Sequence, residues 1–134
     1  QYAQASVTLQ VGKRKNPAES IHYFNSIALP SILEQATRKL PAYMICHEKL
    51  LSLKYKDEAG QSHLYDTLRC FLEHNQNIAH TANALFIHRT TLLYRLDKIR
   101  AFLDSDLTDR DEILYLLLSF HLMDMEEENQ NTNA

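Results

Sequence analysis

The sequence predicts a mainly all-α protein: a helix-turn-helix bundle behind an N-terminal helical segment with room for one short strand. Three observations carry this. Only two Gly and three Pro occur in 134 residues, too few for the many turns of a strand-rich fold. Apolar residues recur at helical spacing through most of the chain. The stretch Ile78 to Ile99, IAHTANALFIHRTTLLYRLDKI, reads as two helices joined by a tight turn. A 45% hydrophobic content is enough for a packed core in a chain of this length.

The N-terminal elements follow in order. Residues 1–15, QYAQASVTLQVGKRK, read as the end of a helix running into a basic, Gly-containing stop. NPAES, 16–20, reads as a turn, and the β-branched and aromatic run IHYF, 21–24, as a short strand. Leu29, Ile32, Leu33, Ala36 and Leu40 define a helix over 29–40, with Pro30 in its first turn and Pro41 closing it. Tyr43, Met44, Ile45, Leu50, Leu51 and Leu53 predict a helix over 42–53. KYKDEAGQS, 54–62, reads as a polar link.

The second half is more sharply patterned. Leu64, Leu68, Phe71 and Leu72 define a helix over 64–74. Asn75 and Asn77 bracket a turn, with Asn77 as N-cap of a helix over 78–85. A helix over 89–103 follows, then the polar connector DSDLTDRDE, 104–112, whose Asp and Thr residues suit caps and turns. The helix over 113–125 is apolar around most of its circumference, which predicts burial on more than one side, in a dimer seam or against the N-terminal segment. By this reading residues 1–58 form an N-terminal segment and 59–125 a separate helical domain. Residues 126–134 are a disordered acidic tail.

The 78–99 pattern differs from an ordinary helical hairpin. Ala82 supplies the small residue two crossing helices need, and Leu85, Ile87, Leu92 and Leu96 hold them at an angle. Leu92, Leu96, Ile99 and Leu103 form one stripe, the packed side of the second helix. His88, Arg89, Thr90, Thr91, Tyr94, Arg95 and Lys98 then point outward or flank the core. Arg and His at a helix start can reach base edges in a major groove, Thr and Tyr hydroxyls can bond phosphates or bases, and Lys98 and Arg100 suit phosphates. Thr90 or His88 also suits the helix cap. The net charge of −3 argues against a nucleic-acid partner until its distribution is resolved. Residues 88–101 carry four cations against Asp97, a balance of +3, whereas 104–134 carry nine acids against Arg110, a balance of −8.

Other chemistries find no support. Cys46 and Cys70 form no CxxC and read as free thiols of a reducing, cytoplasmic environment. Cys70, His74, His80 and His88 lack zinc-ligand spacing, and Cys46-His47-Glu48 are neighbours whose side chains diverge on a helix. Asp104, Asp106, Thr108 and Asp109 lack the glycine and terminal glutamate of a calcium loop. No Gly-rich phosphate loop, run of about 18 apolar residues or signal peptide is visible. The expectation is therefore no catalytic site, no metal, no cofactor and no membrane partner. A first residue of Gln rather than Met predicts a piece of a longer protein.

The residues LYDTLRCFLEHNQNIAHTANALFIHRTTLLYRLDKIRAFLDSDL resemble the C-terminal helix-turn-helix domain of PucR-family bacterial transcription regulators. The matched features are Thr67-Leu68, Asn75 and Asn77, Ala82, and LFIHRTTLLYRL at 85–96. The stretch 1–53 more loosely resembles the segment preceding that domain. HRTTLLYRL also resembles a Fis-type recognition helix. The resemblance implies a double-stranded DNA operator as partner, a homodimer, and DNA contacts from Arg89, Thr91 and Arg95. It also implies an effector sensed by upstream domains. The chain departs from the pattern at Thr90, where the family usually has Asn, and at Phe86, where helix-turn-helix proteins commonly have Gly. Phenylalanine would strain a left-handed backbone, so a different turn is expected, with Phe86 plugging the core. A helical dimerisation or protein-interaction module with a solvated basic face is the alternative. The salt dependence of DNA binding separates the two.

Overall fold

A computed structural model describes the backbone of residues 17–133, with side chains from residue 26 onward. The expected helix end at 1–15 lies outside the described residues. Two compact units divide after Pro41, upstream of the boundary expected near residue 58.

In the first unit, α1 spans Pro17–Ala36. Its backbone corrects three expectations. PAES, 17–20, is helical rather than a turn, with Pro17 the first described residue of the helix. IHYF is helical: a four-residue strand needs a partner ladder, and the described residues offer none. Pro30 lies inside the helix rather than in its first turn. Thr37 Oγ1 donates to Glu34 O at 3.0 Å as the chain leaves α1.

The second unit holds six helices: α2 Ala42–Ile45, α3 Glu48–Gly60, α4 Leu64–Glu73, α5 Ile78–Leu85, α6 Arg89–Leu103 and α7 Arg110–Asn133. The central element is α4, which packs on α3, α5, α6 and α7. It turns Leu64, Tyr65, Thr67, Leu68, Phe71 and Leu72 inward, a run of apolar positions that leaves solvent only one side. Around it, Leu50, Leu53, Leu92, Leu96, Ile99, Leu107 and Leu116 are fully buried. Burying one leucine side chain contributes about 1.5–3 kcal/mol, so this cluster dominates the unit's stability.

The helix expected over 42–53 breaks at His47. There the backbone N–H donates to Ser119 Oγ at 2.8 Å, and Nδ1 accepts from the Leu50 N–H to start α3. The stretch expected as a polar link continues α3 to Gly60, since Lys, Glu and Ala are good helix formers and only one face need be apolar. The true connection is 61–63. His63 gives α4 no side-chain cap; Asp57, eight residues upstream, accepts from the Tyr65 N–H at 2.6 Å and from Ser62 Oγ. A carboxylate at a helix N-terminus satisfies an orphan donor and complements the dipole.

Two further ties close the unit. Arg69 on α4 grips both Asp124 oxygens on α7 and also bonds Glu73 Oε1 at 2.9 Å. The Arg69 hydrogen bond holds the Asp124 carboxyl below the usual carboxylate range. Gln76 Nε2 donates to Leu107 O at 2.7 Å, anchoring the 104–109 connector, and Asp109 caps α7 through the Asp111 N–H at 3.0 Å. The residues expected as a disordered tail extend α7 to Asn133, and Lys54 of α3 pairs with Glu127. Leu116, Ser119, Phe120, Leu122 and Met123 are buried, so α7 is covered on more than one side, as its pattern predicts. Leu114 is nevertheless 56% exposed.

Asn77 caps α5 as expected, its Oδ1 accepting from the His80 N–H at 2.9 Å. Asn77→Ala should lower unfolding free energy by about 1 kcal/mol. Chemical denaturation checks this, and an unchanged midpoint would remove the cap from the stability account. Burial pushes the His47 imidazole below its ordinary 6.5, against the pull of Glu112. A depressed folded pKa means that the neutral ring's contribution is complete above 6.5 and is lost as pH falls through the folded value. The thermal midpoint should therefore drop between about pH 7 and about pH 5. His47→Asn, which keeps an acceptor for Leu50 but does not titrate there, should flatten the drop. Equal slopes would exclude His47 as a source.

Candidate nucleic-acid interface

The motif is built on α5 and α6, both with the bounds their patterns predict. Thr81 and Ala82 are buried on α5, and Thr81 Oγ1 bonds Asn77 O at 2.7 Å, so no polar atom is stranded. Ala82 is only 6% exposed, the small contact a crossing requires. Leu85 and Ile87 pack against the core from either side of the turn.

The turn itself corrects the expectation for Phe86. Its backbone is left-handed (φ 56°, ψ 42°), and its N–H bonds back to Ala82 O and Asn83 O. The Ile87 N–H reaches Ala82 O at 3.1 Å, completing a Schellman closure with Ile87 tucked inward. Phe86 therefore occupies the conformation glycine would take, at a cost of about 1–2 kcal/mol. Its ring does not plug the core; it is 95% exposed.

Along α6, Leu92, Leu96, Ile99 and Leu103 are buried, which is the stripe read from their spacing. The candidate residues lie outside that stripe, Arg89 and Arg95 flanking it and Thr90, Tyr94 and Lys98 farther round the helix. His88 stands at the N-cap in extended conformation without a side-chain cap bond, so neither it nor Thr90 caps the helix. Arg89 and Thr90 are exposed and Thr91 half-buried. Tyr94 is 61% exposed and lies under Lys98, whose Nζ sits 4.8 Å from the ring centroid. This contact orders a cation at the surface without neutralising it.

Arg95 behaves differently. It is half-buried, and its Nη1 donates to Thr67 Oγ1 at 3.1 Å. Thr67 is fully buried and in turn bonds His63 O at 2.6 Å. A guanidinium has five N–H donors, so the bond holds Arg95 in place while leaving donors for a partner. Thr67 is thus a positioning residue, which the sequence marked as a matched feature of the resemblance without giving it a role; its signal is a hydroxyl inside an apolar face. Arg100 lies 3.8 Å from Asp97. Among the described residues no ion pair involves Arg89, Lys98 or Arg95. The accessible surface of α6 therefore carries uncommitted positive charge from its first turn to its third.

The other constellations do not assemble. Among the described residues no group of three or more His, Cys, Asp or Glu could hold a metal ion. Cys70 Sγ lies 3.5 Å from His74 Nδ1, but that nitrogen is 2.7 Å from Cys70 O. Cys46 is buried, donates to Ala42 O and has its thiol pushed up by burial. His47 Nδ1 is occupied by the α3 cap. No described helix is long and apolar enough to cross a membrane.

Residues 64–122 match the PucR C-terminal helix-turn-helix domain family. The chain is 33% identical over 121 residues to the carbohydrate diacid regulator of Escherichia coli K12, covering 90% of this chain and 31% of the relative. It is 31% identical over 124 residues to the purine catabolism regulatory protein of Bacillus subtilis 168, covering 90% and 22%. Identity to the proline-responsive transcriptional activator PutR of the same organism is 29% over 123 residues, covering 91% and 30%. The chain thus spans less than a third of the length of these relatives, which are named as regulators and not as enzymes. No solved structure matches. The α4–α5–turn–α6 core, its uncommitted cations and these similarities agree: residues 64–122 form a PucR-type C-terminal helix-turn-helix domain.

Proposed function

We propose that this chain is the sequence-specific DNA-binding part of a bacterial, cytoplasmic transcription regulator, with α6 as recognition helix in the major groove. The observation that carries the reading is the division of α6. One stripe is fully buried, and the exposed surface of the helix holds Arg89 and Lys98, neither with an ion-pair partner among the described residues. His88 and Arg89 read base edges; Thr90, Thr91 and Tyr94 bond bases or phosphates; Lys98 and Arg95 bond phosphates, with Arg95 steadied by Thr67.

The chain acts as a homodimer on a pseudo-palindrome with half-sites about 10 bp apart, or a multiple of that. The exposed side of α7 around Leu114 is the candidate seam. Regions of the regulator beyond the span shared here sense the effector. The relatives' names point to small metabolites such as carbohydrate diacids, purines and proline.

Selection from a random duplex pool, read by fluorescence anisotropy at about 50 and about 200 mM salt, tests the reading. A palindromic motif with a steep salt slope supports it. Absence of binding even at low salt would favour a helical interaction module instead. On the selected site, Arg89→Ala should relax preference at one base position and lose about 1–3 kcal/mol there. Lys98→Ala should weaken all sequences alike and flatten the salt slope by about one unit. Equal, sequence-blind losses would sink the base-reading role of Arg89. Because Leu114 is exposed, Leu114→Asp should give folded monomer in sedimentation; a dimer as tight as the parent's would exclude this face as the seam.

A further inference from the structure

We propose that Phe86 is a DNA-contacting side chain whose ring packs on an apolar edge of the duplex, a thymine methyl or a deoxyribose, beside the base met by Arg89. The inference rests on the DNA-binding reading above and adds to it a contact made by apolar surface at the turn.

The argument starts from backbone strain. Seven non-glycine residues adopt positive φ among the described residues: Gln61, His63, Asn75, Gln76, Phe86, Asp104 and Leu107. Five are polar, the type that tolerates this region best or that solvent readily accepts. Leu107 is apolar but only 1% exposed, so burial in the core offsets its strain. Phe86 alone has neither excuse. Its ring is 95% exposed, against 39–61% for the other exposed large apolar side chains. Glycine would satisfy the Schellman closure better, and a polar residue would satisfy solvent better. Strain held without local compensation is the kind that clusters at ligand contacts.

Its position says which ligand. Ile87 turns inward to the core, leaving Phe86 and His88 exposed on either side of it, directly before exposed Arg89. These residues form the entrance to α6, and helix-turn-helix proteins meet base edges with the N-terminal residues of that helix. A duplex seated on Arg89 thus passes close to the Phe86 ring. The apolar chemistry available there is the thymine C5-methyl group in the major groove or the C–H face of a sugar on its wall. The Schellman closure presents the ring with a fixed backbone, so little ordering accompanies binding.

The test uses the full chain and its selected duplex. Phe86→Gly should melt at or above the parent temperature, because the αL strain is relieved, yet bind about tenfold more weakly, equivalent to about 1.4 kcal/mol. Phe86→Asn, which keeps a residue tolerant of αL at the turn, should lose binding to the same degree. Phe86→Tyr should retain it. Uracil in place of each thymine then separates the sources. A loss in the parent at one position that is absent in Phe86→Gly assigns the methyl group, and no uracil effect beside a uniform Phe86→Gly deficit assigns the sugar. Parent-like affinity of both Phe86→Gly and Phe86→Asn, with Arg89→Ala still impaired, would overturn the Phe86 contact alone. Recovery of binding in Phe86→Asn would mean that the turn backbone matters and the ring does not, and would also overturn it. A parent chain that binds no duplex at low salt would overturn the DNA reading itself.

Discussion

Burial of one face of α4 against its four neighbours is the constraint on which the rest of the second unit depends. Leu68 and Phe71 meet the leucine stripe of α6 in one continuous core, and that contact decides which side of α6 faces out. The polar ties then act from the rim of the same helix. Asp57 caps its start, Thr67 holds Arg95, Arg69 reaches Asp124 on α7, and Gln76 just past its end pins the 104–109 connector. Each bond is worth little alone, about 0.5–1.5 kcal/mol, or more where a charge is involved. Together they fix the positions of elements whose packing is already determined by apolar area.

The charge distribution follows from the same arrangement. Acids gather on α7 and its connector, where Asp111 and Glu112 complement the helix dipole and Asp124 engages Arg69. The cations of α6 are left largely unpaired, except Arg100 beside Asp97. A net charge of −3 therefore describes neither surface, and the local positive charge of α6 acts within about one Debye length of the helix. Lys98 over Tyr94 shows how a surface cation can be ordered without being neutralised.

The turn between α5 and α6 illustrates a conflict between local preference and the requirements of the motif. The backbone there must turn left-handed for the Schellman bonds to close and for Ile87 to enter the core. Those demands prevail over the preference of phenylalanine for negative φ, and the ring is expelled to solvent as a result. A residue that looks like core in the sequence thus becomes the most exposed large apolar side chain among the described residues.

Helix spacing, caps and stripes were legible in the sequence wherever the information is local. The bounds of α5 and α6, the Asn77 cap and the buried face Leu92-Leu96-Ile99-Leu103 all follow from short-range periodicity and capping chemistry. Three things were decided only by tertiary structure. IHYF favours strand locally, yet a strand needs a partner to bond, and residues 17–36 form a helix instead. The 54–60 stretch reads as a link because it is polar, but it continues α3, whose buried Leu50 and Leu53 already anchor the helix to the core. Phe86 and Thr67 exchange the places their side chains suggest, the apolar ring outside and the hydroxyl inside. Thr67 is placed by residues distant in sequence, namely the α4–α6 packing and the Arg95 bond across 28 positions, and Phe86 by the demand that Ile87 enter the core, neither of which its residue type reveals.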